Sequence, residues 1–392
     1  MSSFGRIVST AREVLYGRRV PRLKATRGAK IVAIVPPAHV RLEIEGLAAT
    51  VEVGQAVSGG DLIARSPADK KFQRRIHASL TGKVTAVSDD LIIIEGEVPE
   101  RPLVIHSEPE WISPAAITDT AREAGLIGMG GGMFPVYVKL GHRAAIEVVL
   151  ANGCESEPYL TSDSRVLEEQ REEVGCGVEL AMHAVRAKRG LIIERETHYP
   201  GGYERLLIRD ALGREVPLRG LPRDVETLVM NVQSTRALHE AVCLGRPLID
   251  RVITVDGGAV GRPGNYRVPI GTEIGHVLDV CEVDPSKASV ILSSGPMMGS
   301  LAERETPVTG GTGGVLALTA EELTQAQPEP CIRCGQCLEV CPFDLPAAHL
   351  VERPSKAVLG CIECGACQFI CPARIPLVSE LRRAKAFVTA WD

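Results

Sequence analysis

The chain has 392 residues, 45% of them hydrophobic, with 12 cysteines and a formal net charge of −5 at pH 7. That length predicts two to four domains with ample core, and the mild negative charge excludes a nucleic-acid partner held by a basic face. No apolar run is long enough to span a bilayer, so no transmembrane segment of its own is expected.

In chain order, residues 1–27 form a lead-in that is rich in Arg and lacks the continuous apolar stretch of a secretory signal. An amphipathic helix around residues 7–15, suited to a membrane surface or a partner, is one reading of it; plain disorder is the other. Residues 28–110 carry short apolar runs at 30–35, 42–44, 50–53, 61–64, 82–87 and 91–95, broken by Gly and Pro. They predict a small barrel or sandwich. The pattern Val51-x-Val53-Gly54-x-x-Val57-x-x-Gly60-Asp61-Leu62-Ile63 resembles the barrel-sandwich hybrid of lipoyl domains. Asp69-Lys70 falls near the lipoyl-lysine position, but the following Lys71-Phe72-Gln73-Arg74-Arg75 does not suit that modification. His77 reads as structural.

From 111 to 250, apolar strands at 147–151, 190–194 and 227–230 alternate with helical stretches at 167–185 and 236–245. That alternation predicts an α/β sheet covered by helices. Residues 251–324 follow, with strands at 252–255 and 265–268 and a helix at 274–281, a β-grasp pattern. A Pro- and Gln-rich linker at 325–330 opens a final domain, 325–392, which ends in an amphipathic helix at 377–388.

Eight cysteines of that last domain form one pattern twice. Cys331, Cys334, Cys337 and Cys341 precede Pro342; Cys361, Cys364, Cys367 and Cys371 precede Pro372. This is the bacterial ferredoxin run for two [4Fe–4S] clusters, in which three closely spaced cysteines hold one cluster and the fourth reaches the other. The expected sets are Cys331, Cys334, Cys337 and Cys371, and Cys361, Cys364, Cys367 and Cys341. Zinc favours paired knuckles over three cysteines in a row followed by Cys-Pro, and disulfides imply an oxidising compartment that nothing here signals. Cys154, Cys176, Cys243 and Cys281 read as plain buried thiols.

Clusters carry single electrons, so a donor site is needed. The glycine run Gly128-Met129-Gly130-Gly131-Gly132-Met133-Phe134-Pro135 allows close backbone approach to a phosphate or ring. Taken alone, a structural glycine loop fits it equally well. After the strand at 147–151 comes Asn152-Gly153-Cys154-Glu155-Ser156-Glu157-Pro158-Tyr159, polar groups at a strand's carboxyl end, where α/β folds bind ligands.

These two segments resemble the flavin-binding subunit of respiratory complex I. With Val138-Lys139-Leu140, Tyr199-Pro200-Gly201-Gly202, Pro263-Gly264-Asn265-Tyr266, Gly295-Pro296-Met297-Met298-Gly299 and the cysteine runs, the order resembles more fully the RnfC family of the Rnf electron-transport complex. The resemblance covers about residues 28–385. It implies a multidomain α/β chain: an N-terminal barrel-sandwich hybrid, a Rossmann-like FMN/NADH domain, an SLBB-like β-grasp module and a two-cluster ferredoxin-like domain.

The resemblance also implies non-covalent FMN accepting hydride from NADH and feeding two [4Fe–4S] clusters. FMN would lie against Gly128, Gly130, Gly131 and Gly132, with Lys139 on its phosphate, Asn152 on ring or ribitol, and Asn231 and Ser234 as further contacts. Glu155, Ser156 and Glu157 would meet the flavin or the nicotinamide nucleotide. Hydride transfer needs no protein acid or base. The implied partners are the membrane and ferredoxin-like Rnf subunits, and the implied location is cytoplasmic, peripheral on the inner face of the membrane. Alternatives are a soluble reductase for a corrinoid or microcompartment enzyme, or an iron–sulfur wire without flavin. Three departures from the family pattern stand out: Ser234 for the usual Thr, Cys154 for an acid in the flavin-binding subunit of complex I, and Gly310 for a Lys.

Overall fold

The computed structural model describes residues 7–8, 20, 23–99, 112–142, 144–194, 199–324 and 327–390. The element that positions the site is a three-stranded parallel sheet. Its central strand, Val148–Asn152, lies between Arg189–Ile193 and Thr227–Asn231. A central parallel strand is covered on both faces, so the apolar sequence Val-Val-Leu-Ala is buried throughout. Val148 and Leu150 face the helix Glu204–Leu212, through Leu207 and Ile208. Val149 and Ala151 face the helices Arg171–Val185 and Val232–Leu244. The pairing sets Asn152 level with Asn231, so both asparagines leave the sheet at one carboxyl edge.

The helical stretch expected over 167–185 is two helices, Ser162–Glu169 and Arg171–Val185. They break at Gln170, whose backbone is non-helical (φ −134°, ψ 39°) and whose side-chain oxygen accepts from the buried guanidinium of Arg236 at 3.1 Å. Helix Arg171–Val185 then crosses Val232–Leu244 closely. A Cβ on Gly177 would lie 2.0 Å from the carbonyl oxygen of Thr235.

Two antiparallel sheets form the preceding sandwich. The strands His39–Glu43, Leu91–Glu97, Thr81–Val87 and Ala56–Val57 make one; Ala48–Ala49, Leu62–Arg65 and Arg75–His77 make the other. They share a core that includes Val40, Leu42, Ile63, Leu80, Ile92 and Ile94. His77 is buried beside Gly125, and its pKa falls to about 4 chiefly through burial, which fits a neutral structural histidine. The strand signal at 30–35 is real but belongs elsewhere. Ile31–Ala33 pairs in parallel with Gly264–Pro269 and forms the edge of a six-stranded sheet built mainly from residues 250–318. In the lead-in, Ile7–Val8 is a strand paired with Leu323–Thr324, not the start of a helix; residues 9–19 lie outside the described residues.

In the last domain, the two cysteine runs repeat one backbone path. Arg333 and Glu363, Gly335 and Gly365, and Asp344 and Arg374 all have positive φ at equivalent positions. A left-handed backbone costs a non-glycine residue about 1–2 kcal/mol, so its recurrence at matching sites reflects a chain curled twice around a similar object. The tail helix, Leu377–Thr389, packs against Ala347–Glu352 through Leu350, Leu377 and Leu381.

Two glycines of one helix give a paired test. Nothing lies within 4 Å of a Cβ built on Gly175, whereas Gly177 meets backbone. Gly175→Ala should raise stability by up to about 1 kcal/mol through helix propensity. Gly177→Ala should lower it by about 1–3 kcal/mol through overpacking. Denaturant midpoints check both signs, and a stabilising Gly177→Ala would contradict the described helix contact.

Candidate functional site

The glycine run folds over the carboxyl edge of the parallel sheet. It closes on itself through Gly128 N–H to the Phe134 carbonyl (2.8 Å) and Met133 N–H to the Gly128 carbonyl (3.0 Å). Ser234, in the first turn of Val232–Leu244, fastens it: its hydroxyl accepts from Met129 N–H at 2.8 Å and donates to the Ile127 carbonyl at 3.0 Å. Gly130 rests on Asn231, with a built Cβ 3.6 Å from the asparagine Cβ. Gly131 has φ +100°, and no atom lies within 4 Å of a Cβ on Gly131 or Gly132. The outcome is a ledge free of side chains above the strand ends, a shape that fits a planar ring or phosphate approaching backbone.

The two edge asparagines turn their side chains to the protein. Asn231 Oδ1 accepts from Gln233 N–H at 2.8 Å, capping the helix, while Nδ2 donates to Asp163 at 2.6 Å. Asn152 Oδ1 accepts from Cys154 N–H at 3.0 Å, and Nδ2 donates to the Gly202 carbonyl at 2.8 Å. Glu155 accepts from both the N–H and the hydroxyl of Ser164 at 2.9 Å. Ser156 is half-buried beside it. Glu157 is buried and accepts from Met297 N–H at 2.9 Å and Met298 N–H at 2.8 Å, tying the acidic segment to the Gly295-Pro296-Met297-Met298-Gly299 turn. Lys139 is engaged elsewhere: its ammonium donates to Glu204 at 2.9 Å and to the Val229 carbonyl at 3.0 Å. Its charge is thus already met by a carboxylate.

Three buried polar residues under this edge escaped sequence reading: Asp163, Gln233 and Arg251. Asp163 accepts from Asn231 and, at 2.9 Å, from Gln233 Nε2. Arg251 donates to the Gly310 carbonyl at 2.5 Å and to the Met129 carbonyl at 3.4 Å. Burial pushes the Asp163 carboxyl up, and the nearby Glu155 charge adds to this. Burial pulls Arg251 down to about 10, against the attraction of Asp163 and Glu155. The sequence held no local signal for them: Asp163 precedes the helical stretch expected over 167–185, and Arg251 precedes the strand expected over 252–255.

The second cysteine run opens onto a cavity lined by Cys341, Cys361, Cys364 and Cys367. Burial raises the thiols of Cys361, Cys364 and Cys367, to about 12 for Cys364, and the proximity of the other thiols adds to it. Four crowded thiols need a bound cation to become thiolates, which suits cluster iron. In each run a backbone N–H points at the first sulfur: Arg333 N–H to Cys331 at 3.4 Å and Glu363 N–H to Cys361 at 3.3 Å. The runs differ in surroundings. Cys334 and its neighbour Ile332 are exposed. Cys364 and Ala366 pack with Tyr199, Met297 and Phe369, and the Tyr199 hydroxyl donates to the Cys364 carbonyl.

Comparison with known proteins agrees with this division. Residues 121–198 match the Nuo51 FMN-binding domain, and residues 324–372 match a 4Fe-4S dicluster domain. The chain is thus a flavin and iron–sulfur protein of mixed α/β architecture. It is 35% identical over 334 residues to the RnfC-type component of the proton-translocating ferredoxin:NAD(+) oxidoreductase complex of Clostridium ljungdahlii, covering 75% of this chain and 73% of that protein. It is 34% identical over 317 residues to the corresponding component of the Na(+)-translocating ferredoxin:NAD(+) oxidoreductase complex of Acetobacterium woodii, covering 71% and 72%. Against the equivalent protein of the ion-translocating oxidoreductase complex of Rhodobacter capsulatus it is 34% identical, covering 78% of this chain and 66% of that protein. The chain belongs to this family, the RnfC proteins of ion-translocating oxidoreductase complexes.

Glu157 supplies a test of the edge. Burial raises its pKa from 4.5 to about 8, outweighing the two backbone donors and the charge of Lys24. The folded chain therefore binds one more proton than the unfolded chain between those values, and stability declines as pH rises through that window, by up to about 1.4 kcal/mol per unit. Glu157→Gln cannot ionise. Melting temperatures from about pH 6 to pH 8 should fall less steeply in this variant than in the parent, and equal slopes would contradict the assignment.

Proposed function

We propose that this chain is the component that oxidises NADH in an Rnf-type NADH:ferredoxin oxidoreductase and passes single electrons to membrane and ferredoxin-like partner subunits. One observation carries the reading: a continuous bonded route joins the two sites. Asn152, at the strand edge, holds the Gly202 carbonyl; Tyr203 and Tyr199, in and beside that turn, share a hydroxyl contact at 3.0 Å; Tyr199 bonds the Cys364 carbonyl.

When bound, FMN supplies two-electron hydride uptake with one-electron release, and each [4Fe–4S] cluster carries one electron. The chain's own residues do the positioning. Gly128, Gly130, Gly131 and Gly132 present backbone to the flavin, Ser234 and Asn231 hold that ledge still, and Asn152 holds the turn that faces the cysteines. Glu155, Ser156 and Glu157 form the acidic wall. Lys139 serves as a framework ion pair with Glu204 in this reading, not as a phosphate contact. Cys361, Cys364, Cys367 and Cys341 hold the cluster nearer the flavin; Cys331, Cys334, Cys337 and Cys371 hold the other.

The domains follow this division of labour: a barrel-sandwich hybrid from about residue 37, a Rossmann-like unit to about 250, an SLBB-like β-grasp sheet to 324 that recruits residues 31–33, and the cluster domain beyond. Among the described residues no helix is long and apolar enough to cross a membrane; in this reading the chain sits at the inner face of the membrane, held by partner subunits. Two of the departures from the family pattern have local accounts. Ser234 makes both loop bonds with its hydroxyl, and a Cβ on Gly310 would strike Ile127 at 2.5 Å.

Anaerobic purification tests the reading. The protein should hold about eight irons and one FMN, and NADH should bleach the flavin band. A chain that never takes up FMN, or whose FMN stays oxidised under excess NADH, would overturn it.

A further inference from the structure

Among the described residues, one set of soft ligands outside the eight cluster cysteines converges. Cys176 lies on helix Arg171–Val185; His239 and Cys243 lie one turn apart on Val232–Leu244, in the same stripe as Thr235. A ligand atom of each lies within 4.8 Å of the others. The convergence depends on the helix crossing: Gly177, next to Cys176, lets the Thr235 backbone come within contact, and this brings the two helices close enough for their thiols to meet.

We propose that Cys176, His239 and Cys243 form a third metal site, for a zinc-type divalent ion, separate from both clusters and from the flavin ledge. Three observations support it. The two sulfurs stand 3.8 Å apart. Two thiolates bound to one tetrahedral zinc at ~2.3 Å are separated by about 3.8 Å, whereas a disulfide needs about 2.05 Å. The two cysteines are not joined by a disulfide. His239 Nδ1 is buried and has no hydrogen-bond partner among the described residues, so it is open to an ion or to water bound to one.

Three protein ligands leave one position for water. Binding displaces one proton from each thiol, giving two thiolates and a neutral imidazole around the ion. The ion staples Arg171–Val185 to the helix whose first turn carries Ser234, the residue that fastens the glycine run. The site thus stiffens the floor of the flavin ledge without touching it.

The test uses the full chain, purified anaerobically with its clusters in place, incubated with zinc chloride alone and passed through a desalting column with a weak chelator. About one zinc per chain should remain, and its X-ray absorption should report two sulfurs at ~2.3 Å and nitrogen at ~2.0–2.1 Å. The double variant Cys176→Ser, Cys243→Ser should lose at least about tenfold of that zinc while keeping its iron. Zinc that washes off the parent chain, zinc ligated by four sulfurs (capture by cluster cysteines), or undiminished zinc in the double variant would each overturn the proposal. If the double variant fails to fold, the ligand set seen in the parent chain decides alone.

Discussion

The register of one strand pair governs the molecule. Val148–Asn152 and Thr227–Asn231 run parallel and level, so two asparagines end side by side at the sheet's carboxyl edge. Each then commits its amide to the protein: Asn231 to its own helix and Asp163, Asn152 to the Gly202 turn. A one-residue slip of either strand would turn its asparagine to the opposite face, releasing the glycine ledge in the case of Asn231 or the tyrosine turn in the case of Asn152. Buried Asp163, Gln233 and Arg251 brace this edge from below. Such a network is stabilising only when its members are paired, and each loss leaves a desolvated group behind.

The cysteine domain shows how a repeated sequence acquires two roles. The backbone of the two runs is alike, down to matched left-handed residues. Their environments are not. The second run is packed against Tyr199 and Met297, while Cys334 and Ile332 of the first face outward. Around the second run Lys385 and Arg382 converge on Glu363, and Lys385 also donates to the Cys361 carbonyl. Cationic donors so near a cluster site favour the added negative charge of a reduced centre. Asymmetry of burial, not of ligands, distinguishes an inner centre from an outer one.

Much of this was legible in the sequence because spacing carries it. The cysteine runs, the three apolar strands and the helix over 377–388 are local patterns, and the structure holds them within a few residues. What was not legible depends on partners distant in the chain. Residues 30–35 read correctly as a strand, yet the choice of Gly264–Pro269 as neighbour lies in a contact more than two hundred residues away. The family resemblance puts Lys139 on the FMN phosphate, but Glu204, from another helix, takes its charge. Asp163 and Arg251 had no periodicity to announce them, since burial of a charge depends on what surrounds it. Cys176 and Cys243 read as plain buried thiols because nothing in their spacing shows that two helices cross at Gly177.

The central claim is that the strand-edge site discharges into the cysteine set lined up behind Tyr199. Rapid mixing of the anaerobic, cofactor-loaded chain with a single equivalent of NADH, followed by freezing and electron paramagnetic resonance, addresses it directly. In Cys334→Ser, which disturbs the outer set, a reduced cluster signal should still appear as fast as in the parent chain. In Cys364→Ser, which disturbs the inner set, the flavin should be reduced while cluster reduction slows by at least about tenfold. Equal cluster reduction in both variants, or loss confined to Cys334→Ser, would contradict the account.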